Sequence, residues 1–222
     1  MIDLRFNWPN ETPQILFLGA HSDDIELGCG GTILNICSEK KESEIHWVVF
    51  SASKERKEEA ISSANKFLSS IENKKITVYD FKENYFPYNA SKIKECFDNL
   101  GKVLNPDLIF SHYKSDLHQD HRTIYDLTLN TFRNHLILQY EIPKYDGDLG
   151  APNVFFPMDK KILNTKIRYL NENFQTQKNK PWFSDDTFRA LPSLRGIESR
   201  SKSGYAEAFY NQKMNFSILN SR

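Results

Sequence analysis

The sequence predicts a single α/β domain built around a mainly parallel sheet. Short, nearly all-apolar runs alternate with amphipathic stretches long enough to be helices, the pattern of repeated strand–helix–strand units. The 222 residues suit one domain, with a core large enough to need no disulfide or structural metal for folding. No internal period or low-complexity tract points to a solenoid, a propeller or a disordered segment.

The elements follow in order. Residues 14–19 (QILFLG), between Pro13 and Gly19, read as a strand buried on both faces. Gly28–Gly31 leads out of a polar turn into a helix over 32–40, with Ile33, Leu34, Ile36 and Cys37 on one side. Residues 44–51 form a second strand, and 54–70 a charged helix with Ala60, Ile61, Ala64, Phe67 and Leu68 at helical spacing. Strands at 75–80 and 107–111 and helices at 91–104 and 120–132 continue the alternation. Beyond residue 134 the pattern turns irregular. A fifth strand falls within 135–143 and a helix over 159–174, while 180–204 is rich in Pro, Ser and Asp. The segment from about 135 to 222 is expected to wrap over the sheet and cover a pocket, without forming a second domain.

Composition narrows the function. The 29 Lys+Arg against 29 Asp+Glu leave no net charge, which argues against a nucleic-acid binder and against an acidic disordered chain. Cys29, Cys37 and Cys96 form neither a CxxC pair nor an even framework, so they read as reduced thiols. The opening stretch lacks the apolar region of a signal peptide, and no apolar run reaches the roughly 18 residues of a membrane span. The expectation is a cytoplasmic protein with no membrane span.

Ligands of open parallel sheets bind outside the carboxyl ends of the strands. Two predicted strands end there in metal-binding residue types. The first runs into His21-Ser-Asp-Asp-Ile-Glu-Leu-Gly28-Cys-Gly-Gly31, and the fourth into His112-Tyr-Lys-Ser-Asp116-Leu-His118-Gln-Asp120-His121. Four of the six histidines lie in these two stretches. A hydrolytic metal needs about three imidazole or carboxylate ligands, a position open to water, a carboxylate base and an oxyanion partner. His21 and Asp24 can face one ion, and His118 and His121, three apart, share a helix face. Asp23, beside Asp24, is free to serve as a base, and the fourth histidine as acid or oxyanion stabiliser. Asp116 reads equally as a support for a ligand or as a helix cap.

The first cluster resembles the A-H-P-D-D-x-E-x-G-x-G-G motif of the LmbE-like, or PIG-L, zinc deacetylases, and His118-Gln-Asp-His121 resembles their H-x-D-H. The helix led by Arg56 and the late Ala206-Glu-Ala-Phe209 are also similar to family segments, in the family's order. The resemblance implies a Rossmann-like three-layer fold. It implies His21, Asp24 and His121 as ligands of Zn2+, with Fe2+ or another divalent ion as the alternative. It further implies Asp23 as general base, His118 as charged partner of the oxyanion, Asp120 as orienter of a histidine, and Arg56 as a contact to the sugar. Ser22 departs from the family's usual proline and frees the turn's φ. The implied activity is removal of an N-acyl group, N-acetyl above all, from an N-acylated sugar, nucleotide-sugar or glycoconjugate; the implied assembly is a homo-oligomer. Two alternatives stand beside it. Gly28–Gly31 also resembles the glycine loop of S-adenosylmethionine methyltransferases, although eight residues separate it from the strand end. The other is a non-catalytic sugar-binding relative, which loss of Asp23 or a ligand would have favoured.

Overall fold

The computed structural model describes residues 8–215. The first seven residues of the opening, expected above to carry no signal peptide, lie outside the described residues. Seven strands form one sheet: β1 (Gln14–His21), β2 (Glu44–Ser51), β3 (Lys74–Val78), β4 (Leu108–His112), β5 (Ile137–Tyr140), β6 (Val154–Pro157) and β7 (Ala206–Tyr210). Their order is β3-β2-β1-β4-β5-β7-β6. The first five are parallel, and β7 runs antiparallel between β5 and β6.

The continuous apolar reading of β1 follows from helices on both faces. Ile15 and Phe17 pack into one buried cluster with side chains of α1 (Asp24–Glu39), α2 (Lys54–Phe67), α5 (Lys160–Asn173) and α6 (Asp185–Glu198). Leu16 and Leu18 pack on the other face with α3 (Ala90–Val103) and α4 (Gln119–Thr131). The result is three layers around a mainly parallel sheet, in one domain. Because β1 pairs with β2 on one side and β4 on the other, the chain direction across the sheet reverses at β1. That reversal opens a crevice at the carboxyl ends of β1 and β4.

The structure corrects two expectations. The first helix starts at Asp24, not Thr32, and runs through Gly28–Gly31 with a break at Cys29 (φ −142°, ψ 19°). A broken helix strands backbone groups that need partners. Here they come from far along the chain. Glu207 of β7 accepts the Gly31 and Thr32 N–H groups at 2.8 and 2.6 Å, and Lys166 of α5 donates to the Leu27 carbonyl at 2.7 Å. Lys166 and Glu207 also pair with each other at 2.6 Å. Gly28 is required by close approach, because a Cβ there would overlap the Tyr140 ring of β5.

The second correction concerns the tail, expected to be irregular from about residue 135. It supplies two further strands and α6. Ser184 caps α6 by accepting the Thr187 N–H, and Asp185 and Asp186 occupy its first turn. Arg195 of α6 then grips Glu141, just past β5, through two hydrogen bonds of 2.8 and 2.6 Å. Among the described residues, no helix is long and apolar enough to cross a membrane.

Candidate metal centre

The crevice gathers both clusters. His21 is the last residue of β1 and Asp24 the first of α1, while His118 caps α4 and His121 lies in its first turn. Three donor atoms converge: His21 Nδ1 and His121 Nε2 are 3.2 Å apart, and Asp24 Oδ2 lies 3.5 Å from each. Ligands about 2.0–2.1 Å from a tetrahedral zinc would stand roughly 3.3–3.4 Å from one another. The Asp24 carboxylate is itself steadied by the His21 N–H at 2.7 Å.

The outer nitrogens fix which way the rings point. His21 Nε2 meets Asp120 Oδ2 at 3.1 Å, and His121 Nδ1 meets Asp116 Oδ2 at 2.8 Å. With a proton on each outer nitrogen, the two inner lone pairs face each other and a carboxylate. Without a cation between them, that arrangement is repulsive. The electrostatics show the same demand. Burial pulls the His21 imidazole down, but Asp24 and Asp120 outweigh it and lift it to about 10. Burial raises the Asp24 carboxyl, yet His121, His21 and His112 together hold it well below its ordinary value. His121 is pushed down to about 3 by burial and by His112. A proton on His21 or a divalent cation meets the same requirement, and the donor set fits a metal.

The carboxylates behind the histidines are well supported. Asp120 accepts the Asn84 and Phe86 N–H groups at 2.6 and 3.1 Å. Of the two readings the sequence left open for Asp116, the structure gives the one behind a histidine: Oδ2 pairs with His121 Nδ1 at 2.8 Å, while Oδ1 accepts the N–H of His118, the residue that itself caps α4. His118 Nδ1 accepts the Asp120 N–H at 3.2 Å, and its ring stacks on His121. His112, which the sequence singled out only weakly, is fully buried against His121, and its Nε2 accepts the Ala20 N–H at 2.9 Å. The cluster thus contains two overlapping groups able to hold a metal, His21–His118–His121 and Asp24–His112–His121. The Ala20 bond engages the His112 nitrogen that faces Asp24, whereas the donor atoms of His21, Asp24 and His121 all lie within 3.5 Å of one another.

Asp23 has a different environment. Burial raises its carboxyl, opposed chiefly by Arg56, whose Nη2 lies 3.2 Å from Oδ1. Arg56 also donates to Ser22 Oγ at 3.0 Å and Glu83 Oε2 at 2.8 Å. Ser22, read from sequence as a loosened turn, is therefore an acceptor that steadies Arg56, which proline could not be.

These residues line an open cleft of about 330 Å³, within the range of small-molecule sites. His21, Asp23, Asp24, Arg56, His118 and His121 are on its wall; Asp116 and Asp120 stand behind it. Sequence reasoning missed the rest of the wall: Glu83 and Asn84, the 142–146 loop, Gln177 and Lys180. Trp182 lines the cleft, whereas Phe183 is buried in the core. Cys29 lies apart from the donor set, its thiol donating to the Ile25 carbonyl. The glycines of the methyltransferase alternative lie inside α1 and not in a strand-to-helix loop, so that reading loses its supporting feature.

The sequence profile of the GlcNAc-PI de-N-acetylases (PIG-L) matches residues 16–132, which hold both clusters. No curated protein matches the chain. Among solved structures, it superposes on the N,N'-diacetylchitobiose deacetylase of Pyrococcus horikoshii with a TM-score of 0.70 and 18% identity, over 93% of this chain and 87% of that one. The 4-carboxy-2-hydroxymuconate hydratase of Pseudomonas putida KT2440 gives 0.71 and 14%, over 95% and 100%. The zinc-inhibited form of the teicoplanin deacetylase Orf2 gives 0.65 and 12%, over 89% and 97%. At these identities the superpositions establish a shared fold. With more than half of its length matched, both clusters included, the chain belongs to the PIG-L (GlcNAc-PI de-N-acetylase) family.

Proposed function

We propose that this protein is a metal-dependent hydrolase that removes an N-acyl group, N-acetyl foremost, from an amino sugar or sugar conjugate. The observation that carries the reading is a three-donor cluster with a separate buried carboxylate, Asp23, beside it on the wall of one cleft. Family membership supports the same reaction class.

His21, Asp24 and His121 would hold the ion. Zinc suits two imidazoles and a carboxylate, and iron(II) or another divalent ion suits them too. A divalent ion held there supplies Lewis acidity, acidifying water and polarising the acyl carbonyl. Asp23, its carboxyl raised by burial, takes the proton of the attacking water as the new C–O bond forms. His118 receives the Asp120 N–H on Nδ1, so its proton sits on Nε2. A neutral Nε2–H donor then meets the developing charge on the acyl oxygen, in place of the imidazolium that the resemblance implies. Burial, and then His21, lower the His118 pKa, consistent with that neutral form. As the C–N bond breaks, the proton held by Asp23 passes to the leaving nitrogen, giving a free amine and a carboxylate.

The test is acetate and amine release from N-acetylated sugars by protein loaded in turn with Zn2+, Fe2+ and Co2+. Release that depends on the metal supports the reading. The hydratase fold relative sets the competing outcome: hydration of an unsaturated carboxylic acid, with no amide cleaved, would replace it.

A further inference from the structure

One short segment of the cleft wall lies outside the family match and has no role in the chemistry above. It is the turn between α5 and α6 that carries Gln177, Lys180 and Trp182. The Lys180 N–H closes this turn on the Gln177 carbonyl at 2.9 Å, and all three residues line the cleft.

Each side chain has an unused capacity. Gln177 is only 2% exposed, its Nε2 bonds to Thr176 Oγ1, and its Oε1 has no hydrogen-bond partner. A buried acceptor without a donor is costly, and a hydroxyl from a ligand would satisfy it. Trp182 is half-buried, held edge-on by Phe183, and presents an aromatic surface of the kind that sugar rings stack on. Lys180 is the third, and its charge decides the ligand class. The other two cations of the wall are committed: Arg56 to Asp23 and Glu83, Lys144 to Asp116 and Asp148. Among the described residues Lys180 has no carboxylate partner; its Nζ lies 5.6 Å from the Trp182 ring centroid. Its charge is nonetheless felt at Asp23, which puts it within electrostatic range of the reacting end. Asp146, the acid of the wall without an ion pair among the described residues, is itself exposed and stays solvated.

We propose that Gln177, Lys180 and Trp182 form a specificity subsite that selects an N-acyl amino sugar carrying an oxyanion substituent, a carboxylate or a phosphate. Trp182 takes the ring face, Gln177 Oε1 accepts a ring hydroxyl, and Lys180 pairs with the anion. The inference rests on the cleft being the substrate site, and it deepens the proposed function by naming what distinguishes the preferred sugar.

Binding and turnover are measured separately, so that the two readings fail in different ways. Calorimetry on the metal-loaded Asp23→Asn protein compares N-acetylglucosamine with N-acetylglucosamine 1-phosphate and N-acetylmuramic acid. The expected result is that at least one anionic sugar binds about tenfold or more tightly than the neutral one, as a charge-assisted contact provides. Phosphate against carboxylate identifies the source of the charge. Adding Lys180→Met should bring the ratio of anionic to neutral affinity close to one, and Lys180→Arg should restore it. Equal affinities in the parent protein, no binding of any sugar, or a ratio indifferent to Lys180→Met would each overturn the subsite. Charge-selective binding without amide cleavage by the wild type would leave the subsite standing and remove the hydrolase reading.

Discussion

Asp23 and Asp24 are neighbours in sequence with opposite electrostatic fates. Asp24 faces three imidazoles and is held ionised, as a ligand must be; Asp23 has Arg56 as its main counter-charge, with lesser help from His21 and Lys180, and burial outweighs them and raises it. Asp23→Asn is therefore expected to keep the bound metal and lower kcat by about 10²–10⁴-fold. Steady-state rates and metal content on the same sample check it; near-full activity would take the base role from Asp23. Asp116 acts one step further out, through His121. Asp116→Asn should weaken metal affinity by about 10–100-fold, measured by competition with a chromogenic chelator. Unchanged affinity would limit Asp116 to steadying the turn before α4 through the His118 N–H. Both clusters were legible in the sequence because ligand chemistry restricts residue types and spacing. The engagement of His112 by Ala20 and of Arg56 by Ser22 was not, since each depends on a contact between β1, or the turn just after it, and a distant element.

At the scale of elements, α1 shows where sequence reading stops. Gly28–Gly31 reads locally as a turn, because glycine is a poor helix former. It is helical here because Glu207 and Lys166 partner the groups freed at the Cys29 break, and glycine stands at Gly28 because Tyr140 leaves no room for a side chain. Those partners lie 139 and 176 residues away from the groups they bind, beyond the reach of any local pattern. The family-like Ala206-Glu-Ala-Phe209 thus acts structurally, as a strand one in from the sheet edge that holds α1, and with it Asp24, in place. Glu207→Ala leaves the Lys166 charge buried without its partner, which should cost about 3–5 kcal/mol and lower the Tm by on the order of 10 °C. Thermal unfolding of the variant measures this; a shift of a degree or less would mean that the pair contributes little. The tail was misread for a related reason. Its Pro192 hid a helix whose start, Ser184-Asp185-Asp186, is a recognisable cap. Its two strands are only four and five residues long and pair antiparallel at the sheet edge.

Across the whole molecule, topology brings the parts together. Reversal of strand order at β1 places the ends of β1 and β4 side by side, so residues about 100 positions apart, His21 and His121, come within 3.2 Å. The parallel half supplies the donor cluster, and the 142–146 loop and the 177–182 turn from the tail close the cleft over it. The doubly covered strands made this architecture readable from apolar runs alone, while the cleft's far wall, made of loops, left no periodic signal. The proposed function turns on metal binding by the convergent donors. That binding is tested most directly by elemental mass spectrometry of folded protein purified without added metal, wild type beside His21→Ala and His121→Ala. The expected result is about one divalent ion per chain in the wild type and none in either variant, with circular dichroism unchanged. A wild type that is metal-free and also refuses added Zn2+ or Fe2+ would contradict it.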